Sequence, residues 1–115
     1  MNLGAVQAAP AKTTRTMTRF RVNDNGLEIG RKNYEVYICK QVGEDPDDYE
    51  TIDVECAIGY SDAIKKAKSI SQMKDWRGTP ILETHVVCYT ATDYTDYEPL
   101  YHRVYRNGEY HCTME

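Results

Sequence analysis

Tyr34-Glu-Val-Tyr-Ile-Cys-Lys-Gln-Val42, Thr51-Ile-Asp-Val-Glu-Cys56 and Ser61-Asp-Ala-Ile-Lys-Lys-Ala67 follow one another along the chain, and their reading decides the fold. The first two alternate and are rich in β-branched and aromatic residues, the pattern of half-buried strands. Asp45-Pro-Asp-Asp48 breaks the alternation between them. Two strands joined by an acidic loop are therefore predicted, with a helix after the second. Ser61 is expected as the helix N-cap and Asp62 as a favourable acid in the first turn. At 100° per residue, Ala63, Ala67 and Ile70 share a stripe flanked by Ile64 and Met73. Lys65, Lys68, Ser69 and Gln72 fall on the opposite side, and Asp62 can pair with Lys66 four residues on. Gly78-Thr-Pro80 is expected to end the helical region.

Working outward, Ile81–Thr90 reads as a strand, with Val86, Val87 and Tyr89 in it. A tyrosine-rich loop, Asp93-Tyr-Thr-Asp-Tyr-Glu-Pro99, leads into a strand over Leu100–Arg106. Asn107-Gly108 is a strong hairpin signal, and Glu109–Met114 returns. With Arg106 opposite Glu109, Tyr105 faces Tyr110 and Val104 faces His111. Leu100, His102, Val104 and His111 then occupy one face, and Tyr101, Arg103, Tyr105, Tyr110 and Cys112 the other. The tyrosine face is expected to pack the core or a partner. Toward the N-terminus, Arg15–Val22 can form a strand, Asp24-Asn25-Gly26 a turn and Leu27–Ile29 a short return. Met1–Thr14 is small, polar and aperiodic, and is expected to be a disordered tail. The expected fold is α+β: one domain over residues 15–115, with five or six antiparallel strands and one helix on a face, in the order (β)ββαβββ.

A chain of 115 residues makes one domain with a single modest core. Its net charge of −4 is unevenly placed. Glu44, Asp45, Asp47, Asp48 and Glu50 occupy one loop, and Asp93, Asp96 and Glu98 another; without those eight, ten acids face fourteen bases. The strand order puts the first loop at the helix C-terminal end of the sheet and the second at the other end. They do not merge into one acidic face, which counts against mimicry of a long nucleic-acid duplex. Cys39, Cys56, Cys88 and Cys112 lie in or at the ends of strands, without metal or redox spacing, and read as reduced structural thiols. With no charged segment leading into an apolar run, no export signal and a cytoplasmic location are expected. No apolar run reaches membrane-spanning length.

Few motifs carry chemistry. The loop after Asp45 fails the EF-hand pattern, which needs Gly at its sixth position and Glu at its twelfth where Glu50 and Cys56 stand. His85 and Cys88, three apart on a strand, face opposite ways and cannot share a metal ion. His102 and His111 are placed as diagonal neighbours on one face, two ligands without a third. No nucleophile elbow, phosphate-binding glycine loop or zincin helix is present. Neither catalysis, a cofactor nor a metal is expected. Ten tyrosines beside one Phe and one Trp suit a binding surface or a tyrosine-faced sheet. Lys65, Lys66, Lys68 and Lys74 suit phosphate or an acidic partner, or else a solvated helix face.

The strand Tyr34–Val42, the acidic strand Thr51–Glu55, Ser-x-Ala-x-x-x-Ala at Ser61, Ala63 and Ala67, and the aromatic-x-Gly-Thr exit at Trp76, Gly78 and Thr79 resemble a small phage-encoded family. Its members are anti-CRISPR proteins that inhibit type I-F surveillance complexes and are built as β-β-α-β-β-β. The resemblance covers about eighty residues. It implies a phage or mobile-element protein whose helix and helix exit touch the nucleic-acid-binding subunits of a host ribonucleoprotein complex, blocking target DNA. A family basic position falls on Lys65, and a family lysine and glutamine fall on Gln72 and Lys74 with types exchanged. The helix here is about a turn longer, and Ala91–Pro99 has no counterpart. The expected partner-binding residues are Lys65, Lys68, Gln72 and Lys74, with Tyr94 and Tyr97 on the inserted loop. The alternative is a nucleic-acid-associated or regulatory module using the same lysines.

Because Met1–Lys12 offers almost nothing to bury, its deletion is expected to leave the melting temperature within a few degrees of wild type in a calorimetric scan. A drop of many degrees would show that the segment docks.

Overall fold

The computed structural model describes residues 20–114. The expected tail over Met1–Thr14, and the beginning of the first strand at Arg15, lie outside them. Strand β1 (Asn33–Gln41) and strand β2 (Tyr49–Ala57) form the first hairpin, and helix α1 (Tyr60–Ser71) follows. A miniature hairpin comes next, β3 (Asp75–Trp76) with β4 (Thr79–Pro80), and then β5 (Glu83–Thr90), β6 (Glu98–Arg106) and β7 (Glu109–Met114). The five long strands form one antiparallel sheet in the order β2-β1-β5-β6-β7. The class is α+β with the predicted ββαβββ order, and the small sheet is an addition to it. No described helix is long and apolar enough to cross a membrane.

Alternation assigns the two faces. Val36 on β1, Val86 on β5 and Tyr105 on β6 meet Ala63 and Ala67 of the helix in the core, with Tyr34, Ala57, Ile64 and Tyr101 around them. The helix stripe is as predicted over Ala63, Ala67 and Ile70, all buried, but Met73 lies past the helix end and is exposed. Small residues let the helix backbone come close to the sheet, and the Thr84 hydroxyl donates to the Ala67 carbonyl at 2.8 Å. That bond satisfies both groups where water is absent.

Several local expectations need correction. The N-cap is Gly59, not Ser61; Asp62, in the first turn, reaches back to accept the amide of Ile58 at 3.0 Å. An acid that anchors the incoming chain leaves Ser61 inside the first turn. The helix stops at Ser71, well before Gly78. Gly78 instead occupies the turn of the miniature hairpin beside Arg77, both with positive φ (90° and 53°), as a tight two-residue turn requires. Of the expected N-terminal hairpin, the described residues show one antiparallel bridge, Val22 with Glu28; the strand's residues 15–19 lie outside them.

The last hairpin carries the largest change. Arg106 opposes Glu109 and Tyr105 opposes Tyr110, but the register then shifts and Val104 faces Cys112. His111 is the extra residue of a β-bulge. Cys112 therefore shares the face of Val104 and His102, not that of the tyrosines, and His111 is not their neighbour. Tyr101, Arg103, Tyr105 and Tyr110 do share the helix-side face. The Arg103 guanidinium lies 4.8 Å from the ring centre of Tyr101 and donates to the Tyr60 hydroxyl at 2.7 Å.

Ala67 has no exposed surface. Ala67→Glu buries a carboxylate against Val36, Val86 and Tyr105, and is expected to cost more than about 3 kcal/mol and abolish the cooperative thermal transition. A soluble variant melting near wild type in circular dichroism would reverse the assigned helix faces.

Candidate functional site

The exposed side of α1 presents Lys65 and Lys68, neither of which forms an ion pair or side-chain hydrogen bond with any described residue. Lys66 is committed: its ammonium donates to the Cys56 carbonyl at 2.7 Å and lies 3.5 Å from Asp62. The Ile58 amide, with help from Lys66 and Lys65, holds the Asp62 carboxyl below its usual range. Gln72 continues the lysine row, but its side chain lies against the last hairpin. A Cβ built on Gly108 would fall 2.1 Å from the Gln72 amide nitrogen. Gly108 also has φ +81° and donates its amide to the Ser71 hydroxyl at 2.8 Å. The left-handed turn geometry favours glycine there, and a larger residue would also have to displace the flexible Gln72 side chain. Lys74 lies beyond the helix and is exposed.

The tyrosine loop does not join this surface. Tyr97 stacks on Tyr89, ring centres 4.3 Å apart, on the sheet face away from the helix. Tyr94, at 97% exposure, is the loop's free aromatic. The acids of this loop are largely engaged: Asp93 pairs with Arg21 at 2.7 Å, and Asp96 accepts from the side-chain amides of Asn23 and Asn25. Arg21 holds the Asp93 carboxyl below its usual range. The two predicted groups, lysine row and tyrosine loop, stand on opposite faces of the sheet.

The face away from the helix holds a row of polar groups that sequence reading did not find. Glu83 and His85 on β5 point to this face, as do His102 and Arg106 on β6. Arg106 donates from Nε to Glu83 Oε1 at 2.8 Å. The other carboxylate oxygen of Glu83 is 2.5 Å from His85 Nε2, and His85 Nδ1 is 2.6 Å from His102 Nε2. Glu83 and His85 are buried and His102 is half-buried. A carboxylate can only accept, so Glu83 places the proton of neutral His85 on Nε2. His85 Nδ1 then accepts from Nε2–H of His102. Burial pulls both imidazoles below the usual histidine range, against the pull of Glu83; His85 adds to the effect on His102. The row is thus an Arg–Glu ion pair continued by two neutral rings.

Tyr49 closes over the row, its ring centre 4.6 Å from that of His85. Cys39 is opposite Glu83 in the ladder, and its thiol is pushed up to about 12, chiefly by burial. Such a thiol is inert as a nucleophile. Cys56 is exposed and Cys112 half-buried, and all four cysteines are free. Among the described residues no group of three His, Cys, Asp or Glu side chains is placed to hold a metal ion. The spacings Glu83-x-His85 and His102-x-x-x-Arg106 mark each set as sharing a strand face. Joining them needs the β5–β6 register, which lies across the long tyrosine loop and a bulge at Cys88/Tyr89.

Comparison of the chain with protein-family models, with curated proteins and with solved structures finds no match. The buried row makes its own test. Arg106→Met leaves the Glu83 charge with one partner fewer and is expected to cost about 2–4 kcal/mol. Arg106→Lys should recover only part of that, since a single ammonium does not reproduce the guanidinium fork. Urea denaturation measures both; equal stability of all three proteins would show that the row contributes nothing.

Proposed function

We propose that this is a binding protein of a phage or other mobile element that docks helix α1 on a nucleic-acid-binding surface of a host ribonucleoprotein complex. On this reading it keeps target DNA off that surface, as an anti-CRISPR protein does. The observation that carries it is the pair Lys65 and Lys68, exposed and without an ion pair among the described residues, beside a Lys66 that is already used. Unpaired ammonium groups on a rigid helix are preorganised to meet acidic or polar groups of a partner, and contribute little to folding. The ββαβββ order supports the same reading. Lys74 extends the cationic surface past the helix end. Gln72 acts chiefly as the contact that fixes the helix to the Asn107-Gly108 turn, and Tyr94 is a peripheral contact on the far face.

The double charge reversal Lys65→Glu/Lys68→Glu provides the test. Purified type I-F surveillance complex is mixed with the protein and then with labelled target duplex. Wild type is expected to abolish the shifted DNA band near stoichiometric ratios, and the reversal to raise the required concentration at least tenfold with an unchanged melting temperature. Association of wild type should slow as salt rises, since exposed charges are screened within about 10 Å near 0.1 M. Full DNA binding in the presence of wild type would overturn the inhibitor reading. Retarded free duplex without the complex would favour direct nucleic-acid binding instead.

A further inference from the structure

The loop between β1 and β2, residues 42–48, is tied down by the polar row at two points. Besides gripping Glu83, Arg106 donates to the Pro46 carbonyl at 3.4 Å. Tyr49, the first residue of β2, lays its ring against His85, which is 1% exposed. Within the loop, the Val42 amide donates to the Asp48 carbonyl and the Asp48 amide to the Asp45 carbonyl, each at 3.1 Å. The closed loop is therefore the state in which His85 is dry.

Neutral imidazoles suit a dry row and imidazolium does not. The groups facing the pair are few. Glu83 is the carboxylate in contact, and Arg106 from β6 already holds it. From β1, Tyr37 stands opposite His85 and Cys39 opposite Glu83. Burial keeps both protonated at physiological pH, so neither supplies negative charge. From β2 comes Tyr49, also raised by burial; from β7, Met114 stands opposite His102 and Cys112 opposite Val104. Farther along β1 on the same face, the half-buried Glu35 accepts from the hydroxyls of Tyr37 and Tyr89. The remaining charges are the acids of the loop, Glu44, Asp45, Asp47 and Asp48, and Glu50 on β2, all exposed, the last paired with Lys40 at 3.4 Å. Lifting Tyr49 and releasing Pro46 would admit water to the rings and give an imidazolium the hydration it lacks.

We propose that residues 42–49 form an acid-released latch, in which proton uptake by the His85–His102 pair opens the β1–β2 loop and frees its acidic side chains. The sign follows from linkage. Folding and closure favour the neutral rings, so the closed state is fully favoured above the free imidazole value of about 6.5 and is lost as pH falls below it. Opening increases by at most about tenfold per pH unit for each proton taken up. The latch is independent of the lysine row and stands whether or not α1 binds a partner.

The test is amide hydrogen exchange of the full chain by NMR between pH 7.5 and 5.0, corrected for the intrinsic pH dependence of exchange. The Val42 and Asp48 amides are expected to lose protection at least tenfold. The Thr92 amide, which donates to the Thr95 carbonyl at the other end of the sheet, should stay constant. In His85→Gln/His102→Gln the loop should become insensitive to pH over this range. Constant protection at Val42 and Asp48 in wild type would overturn the proposal. So would an undiminished pH dependence in the double variant, which would move the sensor to the loop carboxylates. Should the double variant not fold, ring nitrogen shifts of wild type decide: both histidines must titrate in step with loop opening, and titration without opening overturns the latch.

Discussion

Seven of the eight residues of β5 are buried, so the central strand of a single sheet needs cover on both faces. On one face the helix supplies it through Ala63, Ala67 and Ile70, whose small or slender side chains bring backbone and sheet together. The other face has no helix. There the cover is made from aromatic rings, Tyr49 on His85 and Tyr97 on Tyr89, and from a closed row of polar groups. A strand carrying Glu83 and His85 cannot be dehydrated cheaply, because each buried donor or acceptor left unpaired costs about 1–3 kcal/mol. The Arg106–Glu83–His85–His102 row meets that constraint by giving every member a partner. The many tyrosines have a structural reason as well: a ring with a hydroxyl can cap a sheet and still reach water.

The two faces differ in mechanical character. Helix α1 is fixed at its start by the Asp62–Ile58 bond, along its length by Thr84, and at its end by the Gly108–Ser71 and Gln72 contacts. Whatever Lys65 and Lys68 meet, they meet it from a rigid support. The tyrosine cover is held by loops instead. The one carrying Tyr97 is laced by hydrogen bonds around Thr92 and Thr95 and tied to Arg21, Asn23 and Asn25. The one before Tyr49 has fewer ties, and local opening is drawn from such regions.

Elements whose signal is local were legible in the sequence. The alternation of Tyr34–Val42 and Thr51–Cys56 and the 100° stripe of the helix identify the class, the element order and the buried helix face. Ser61 misled because cap preference says nothing of an acid at Asp62 reaching backward. The final hairpin misled because one inserted residue, His111, exchanges the faces of everything after it, and bulges leave no reliable mark in composition. The polar row was invisible for a related reason. Its members come in same-face spacings, Glu83 with His85 and His102 with Arg106, but their meeting depends on strand order and register set by tertiary packing. The lysine row could be seen on the helix; that Gln72 is spent on a glycine turn could not.

The separation of the acidic loops has a consequence for how the molecule approaches anything charged. Glu44–Glu50 sits beyond the helix C-terminus and Asp93–Glu98 at the opposite end, with Lys65 and Lys68 between them. At long range the net charge of −4 dominates and repels any polyanion; only close in does the uneven placement act, with acidic ends on either side of the two lysines. A polyanionic or acidic surface is then repelled from either end and drawn only broadside, within about the 8–10 Å screening distance of physiological salt. Orientation, rather than overall attraction, is what such an arrangement selects, and it does so despite a net charge of −4.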